Sequence, residues 1–184
     1  TSLTKLLNQV GINSYHALPH LNDWPQNPND PPTATRYWAD AYDGHTDIQS
    51  SVVFKELAEM YPDAKFVYTH RPAVQWAASM NGFMKKHNGL WVGLQMAHDF
   101  GLPVPPVVRL FEAMYGPLFK MYDQLSWHAE YERHDRSVAR FFAKPAMASR
   151  FLNVSITNPD RNGEGLRRLA EFLEVELPAS PGPG

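Results

Sequence analysis

The residues best suited to hold an anion are Arg71 and Ser79. An apolar run, Phe66-Val67-Tyr68, ends at Thr69-His70-Arg71-Pro72, and a helical pattern carrying Trp76 and Ser79 follows. Their spacing is about two helical turns, so both side chains can face one side. A guanidinium grips phosphate or sulfate oxygens with two parallel bonds, and a hydroxyl adds a third. The same residues fit a surface salt bridge and an exposed serine, and spacing alone leaves both readings open. Two further segments could bind anions. Thr1 and Ser2 open a helix, as a simple cap does and as the end of a phosphate-binding loop does. Arg161, Asn162 and Gly163 stand in a glycine-containing turn before another helix, where the arginines could also be solvated.

Titratable groups gather at the ends of expected strands: His16 after Tyr15, His45 and Asp47 around Thr46, and His70 before Arg71. No His-Glu-x-x-His spacing and no other compact ligand set occurs, so no metal site is expected. There is no Gly-x-Ser-x-Gly elbow and no Gly-x-Gly-x-x-Gly fingerprint.

These residues must be positioned by short elements. Leu3, Leu6, Leu7 and Val10 recur at helical spacing until Gly11, which predicts a helix over about 2–10. A strand follows from Ile12 to Ala17, then a proline-rich loop over 20–32 and a helix from Thr33 to Tyr42. A strand-like piece from His45 to Ile48 leads to a helix from Ser50 to Met60. The strand Lys65–Thr69 and a helix reaching Lys86 come next. Residues 87–123, rich in Gly, Pro, Met and aromatics, predict interrupted helices. A long amphipathic helix from Ser126 to Ala143, a strand from Arg150 to Ile156 and a helix from Gly163 to Glu174 complete the order. Strands and helices alternate, and the strands are continuously apolar. That pattern predicts an α/β fold with a parallel sheet covered on both faces, with ligands outside the strands' carboxyl ends.

Composition sets outer limits. The chain has 184 residues, 43% hydrophobic and 20% charged, with a net charge of −2, as an ordinary single globular domain has. The balance of charge argues against broad nucleic-acid or membrane-surface binding, but not against a local cluster around one phosphate. There is no cysteine, which excludes disulfides and thiolate chemistry. No apolar run approaches the roughly 18 residues of a membrane span. The helical pattern begins at the first residue, which predicts a further segment before it.

Taken together, these segments resemble the sulfotransferases of the P-loop superfamily, in the subgroup of fungi, plants and bacteria. Thr1-Ser2-Leu3, Val10-Gly11 and Tyr15-His16 are similar to the helix after the family's glycine-rich loop. The stretch FKELAEMYPDAKFVYTHRPAVQWAASM resembles the family's most recognisable segment, with Tyr61-Pro62, Ala64-Lys65-Phe66, Arg71, Pro72, Trp76 and Ser79 in place. YERHDRSVARFF, RFLNVSI and GEGLRRLAEFLEVELP resemble its later segments. Where the family has Asp-x-Pro, Asp47-Ile48-Gln49 stands here.

The resemblance implies a P-loop NTPase-like three-layer α/β/α domain over 1–184, with a central parallel sheet and a helical lid or insert over 81–123. It implies the donor 3′-phosphoadenosine 5′-phosphosulfate and no metal. Arg71 and Ser79 match the grip on the 3′-phosphate, and Thr1, Ser2 and Leu3 the end of the loop that holds the 5′-phosphosulfate. Arg161, Asn162 and Gly163 fall near a second 3′-phosphate contact. Asp47, His16 and then His45 are the candidate general bases. Met and aromatic residues of 81–123 predict a small aromatic or lipophilic acceptor rather than a charged glycan. A cytoplasmic location and a homodimer fit this picture. The alternatives are a non-catalytic nucleotide-binding module on the same fold and a P-loop small-molecule kinase.

Overall fold

The computed structural model describes residues 2–16, 39–103, 112–115, 124–155 and 164–177. The expected loop over 20–32, most of the Thr33–Tyr42 helix and the C-terminal tail lie outside these residues.

Helix α1 (Ser2–Gln9) stops where the sequence places Gly11. Gly11 has φ 85°, and the amides of Gly11 and Ile12 donate to the carbonyls of Asn8 and Leu7. Only a residue without Cβ adopts this left-handed end at little cost. Strands β1 (Ser14–His16) and β2 (Gly44–Thr46) pair in parallel, with His16 opposite Thr46. The helix expected over Ser50–Met60 is divided into α2 (Ile48–Val52) and α3 (Phe54–Met60), broken at Val53. Phe54, Leu57 and Ala58 bury one face of α3.

Strands β3 (Phe66–His70) and β4 (Phe151–Ser155) form the second parallel pair, from Phe66 opposite Phe151 to His70 opposite Ser155. Helix α4 (Ala73–Lys86) starts after Pro72, whose fixed φ suits a helix entry. Helix α5 (Asn88–Asp99) follows after a single residue, and residues 112–115 are helical. Helix α6 (Gln124–Phe142) is the longest described. Its buried Trp127, His134, Val138 and Phe141 recur at helical spacing. The short α7 (Pro145–Ala148) leads into β4, and α8 (Glu164–Leu173) buries Leu169 and Ala170.

The fold is therefore α/β with parallel strands. Among the described residues the strands form two pairs rather than one hydrogen-bonded sheet. The α6 face packs Val138, Phe141 and Phe142 against Phe54 and Ala58 of α3, and Phe142 stacks on Phe151 of β4 at 4.3 Å. A separate cluster joins Ala77 and Met84 of α4 to Leu94 and Trp127. A cleft of about 1380 Å³ runs between the two strand pairs, lined by Phe66, Val67 and Val154 of one pair and Gly44 and Thr46 of the other.

Candidate functional site

The carboxyl ends of both strand pairs line this cleft: His16, Thr46 and Asp47 from the first, Thr69 and Arg71 from the second. The polar corner at the first pair is a chain of hydroxyl and imidazole contacts. Thr4 Oγ1 lies 2.7 Å from Thr46 Oγ1, and Thr46 Oγ1 lies 3.1 Å from His16 Nδ1. His16 Nε2 is left 3.8 Å from Asp47 Oδ2. The hydroxyl lies against one imidazole nitrogen and the other faces the Asp47 carboxylate, at a separation longer than a direct hydrogen bond.

Asp47 has φ 105° and ψ −176°, a conformation almost reserved for glycine and costing about 1–3 kcal/mol elsewhere. Its surroundings hold it there. Oδ1 accepts from the Ile48 amide at 2.7 Å, capping α2, and Gln49 Nε2 donates to the Thr46 carbonyl at 3.1 Å. Gln49 is only 2% exposed, so the residue standing where the resembling family has proline pins the turn from inside. A strained backbone maintained by a buried amide at a cleft-lining carboxylate marks a position where geometry outweighs local stability.

Arg71 follows the last residue of β3 and is half-buried. Among the described residues no carboxylate pairs with its guanidinium. Its backbone is held by Tyr131 of α6, whose hydroxyl accepts from the Arg71 amide at 3.2 Å and donates to the Arg71 carbonyl at 3.0 Å. The Tyr131 ring stacks on Trp76 at 4.7 Å.

Between the two corners opens a side pocket of about 190 Å³, walled by Trp76, Met114, Tyr115, Tyr131 and His134. The rings of Trp76 and Tyr115 are 5.3 Å apart. Burial raises the Tyr115 phenol's pKa, and the charges of Asp47 and Tyr131 raise it further, so this hydroxyl stays protonated beside Asp47. His134 is pushed down to about 4, chiefly by burial and then by Arg133, which keeps it neutral at pH 7. Tyr68, buried near Tyr131 and Asp135, is also raised, again mainly by burial.

The structure thus brings His16, Asp47 and Arg71 to one cleft, with Leu3 of α1 on its wall. His45 lines the cleft too, but its Nε2 lies 3.0 Å from the Ala39 carbonyl, and burial lowers its pKa. Ser79 sits on an exposed part of α4 and does not line the cleft. Thr1, Arg161, Asn162 and Gly163 lie outside the described residues; Ser2 opens α1, and its side chain is not among those described. Of the apolar residues in 81–123, Met114 and Tyr115 line the cleft, whereas Phe83, Met96 and Phe100 are exposed. Tyr131 and His134 fall in YERHDRSVARFF, a segment that resembles a later part of the family, but no sequence signal assigned either of them a site role. They lie in an ordinary amphipathic helix about 60 residues from Arg71, and no local pattern signals the contact. Trp76 was visible only as part of the β3–α4 motif. Among the described residues no cluster of His, Asp or Glu could hold a metal ion, and no helix is long and apolar enough to cross a membrane.

No curated protein sequence matches the chain at a significant level. A family match covers all of it: the Sulfotransferase domain, over residues 1–184. With parallel strands delivering polar groups to one cleft and a match from end to end, the chain belongs to the sulfotransferase domain family, whose members are transferases of the sulfuryl group.

Proposed function

We propose that this domain transfers the sulfuryl group of 3′-phosphoadenosine 5′-phosphosulfate to a hydroxyl or amine of a small aromatic or lipophilic acceptor. The observation that carries the reading is Arg71: a guanidinium at a strand's carboxyl end, in the cleft that also holds Asp47, with no carboxylate partner among the described residues. A half-buried cation with no carboxylate partner among the described residues fits a dianionic phosphate better than it fits a structural role.

When bound, the donor supplies an electrophilic sulfur and a nucleoside bisphosphate that leaves. The chain's own residues supply position and proton transfer. Arg71 holds the 3′-phosphate with two guanidinium N–H groups. Thr1, Ser2 and Leu3 are assigned to the 5′-phosphosulfate side, Leu3 of α1 lying on the cleft wall. Arg161, Asn162 and Gly163 are candidate further donors to the 3′ side. Asp47 takes the proton of the attacking hydroxyl and becomes the neutral acid, with His16, held by Thr46, 3.8 Å away on its other side. Such a base contributes about 10²–10⁴-fold. Trp76, Met114 and Tyr115 form an apolar wall suited to an aromatic ring.

The test is sulfate transfer by the full-length protein with this donor and a panel of phenols, aliphatic alcohols and amines, beside calorimetric titration of 3′-phosphoadenosine 5′-phosphate. Binding of the bisphosphate without added magnesium, with transfer to at least one apolar acceptor, is expected. Absence of nucleotide binding removes the proposal.

A further inference from the structure

We propose that Tyr131 is a positioning residue for Arg71, fixing the root of the phosphate-binding side chain through both of its backbone polar groups. The inference rests on the phosphate-gripping role proposed for Arg71 and adds a residue that no part of the binding motif contains.

The β3–β4 ladder ends with His70 opposite Ser155, so Arg71 stands one residue past the last strand pairing. At that point a peptide usually turns to water for its hydrogen bonds. Here one phenol serves the amide and the carbonyl of the same residue, at 3.2 and 3.0 Å. Pro72 next restricts the chain from the other side, with φ −52°. The Trp76 amide donates to the Pro72 carbonyl at 3.0 Å, closing the first turn of α4, and the Trp76 ring lies against the Tyr131 ring at 4.7 Å. Tyr131 therefore touches both the start of the Arg71 turn and the helix that ends it.

The helix that delivers Tyr131 is itself immobilised. Trp127, His134 and Val138 of α6 are buried at 2%, 8% and 4% exposure. The phenol is thus a rigid strut from the core of the domain to the mouth of the cleft. With the Arg71 backbone held, only side-chain torsions remain to be ordered when an anion binds, which lowers the entropic cost of binding.

The test is a double-mutant cycle on the full-length protein, read as affinity for 3′-phosphoadenosine 5′-phosphate. Tyr131→Phe keeps the ring and its stacking and removes both hydrogen bonds. It is expected to weaken the nucleotide about tenfold, the size of one or two net hydrogen bonds. In an Arg71→Ala background the same change is expected to shift affinity less than twofold, because the positioned group is gone. An equal fold loss in both backgrounds, or unchanged affinity of Tyr131→Phe alone, overturns the positioning role. If Arg71→Ala itself leaves nucleotide affinity unchanged, the phosphate role of Arg71 fails and this inference fails with it.

Discussion

Two arginines flank the β3–β4 pair, and they are used in opposite ways. Arg150 precedes β4, at the amino end of the parallel pair; Arg71 follows β3, at the carboxyl end. The guanidinium of Arg150 donates to the carbonyls of Ala64 at 2.9 Å, Tyr61 at 2.7 Å and Ala58 at 3.3 Å. It also lies over the Phe66 ring at 5.5 Å. Those carbonyls belong to the end of α3 and the turn after it, where helix-end acceptors go short of backbone donors; the Tyr61 carbonyl also accepts from the Ala64 amide at 3.1 Å. Arg150 is thus consumed by the fold. Arg71 donates no guanidinium hydrogen to any described carboxylate and opens on the cleft. In a parallel sheet the carboxyl ends are where the connections diverge and leave room for a ligand, while the amino ends are closed by short turns. The same residue type becomes structural at one end and available at the other.

The largest effect that separates the two ends is on stability. Arg150→Ala removes the guanidinium bonds to three carbonyls, leaving the Tyr61 carbonyl only its bond from the Ala64 amide, and is expected to cost about 3–4 kcal/mol in urea unfolding. Nucleotide affinity of the folded fraction should stay at the wild-type value. A cost under about 1 kcal/mol would erase the contrast.

Arg71→Ala is expected to do the reverse. It should weaken 3′-phosphoadenosine 5′-phosphate by about 2–4 kcal/mol, with Arg71→Lys recovering only part, because an ammonium cannot reproduce the bidentate fork. Unfolding midpoints should move by less than about 0.5 kcal/mol. Equal nucleotide affinity for all three proteins would place Arg71 with Arg150, among residues without a ligand role.

His134 tests how far the core beneath the cleft depends on staying neutral. Its pKa is lowered to about 4 in the folded protein, below the unfolded value of about 6.5. Between these values the unfolded chain binds more protons, so stability falls as pH drops from about 6.5 to 4. The full term amounts to at most about 3 kcal/mol. His134→Gln should flatten that part of the stability–pH curve, measured by urea midpoints at half-unit intervals. An unchanged slope would assign the acid sensitivity to other groups.

The smallest stability effect is expected at Asp47, where the largest loss of activity is also expected. Asp47→Gly removes a cap on α2 but relieves a glycine-type backbone, so stability should be unchanged or rise by up to about 1 kcal/mol. Sulfate transfer should fall about 10²–10⁴-fold. Full activity in Asp47→Gly would move the base to His16, and Asp47→Asn would confirm which.

Much of this was legible without coordinates. The 3.6-residue apolar pattern that ends at Gly11 fixes α1, and the apolar run before His70 fixes β3 to within a residue. The break at Val53 was not legible, because Val52, Val53 and Phe54 sustain an apolar run that reads as one helix. What sequence alone determined are local quantities: periodicity, turn chemistry, and the placement of Arg71 and Asp47 at the ends of expected strands, together with the family to which those motifs point. What only the tertiary structure decided are the contacts between distant segments. Arg71 and Arg150 read alike in one dimension, each an arginine at the edge of an apolar strand. Their partners are set by packing across 60 to 92 residues of sequence, through Tyr131 for one and Ala58 for the other. Side-chain pairing at that range depends on how α3 and α6 seat against the β3–β4 pair, and no local propensity encodes that seating.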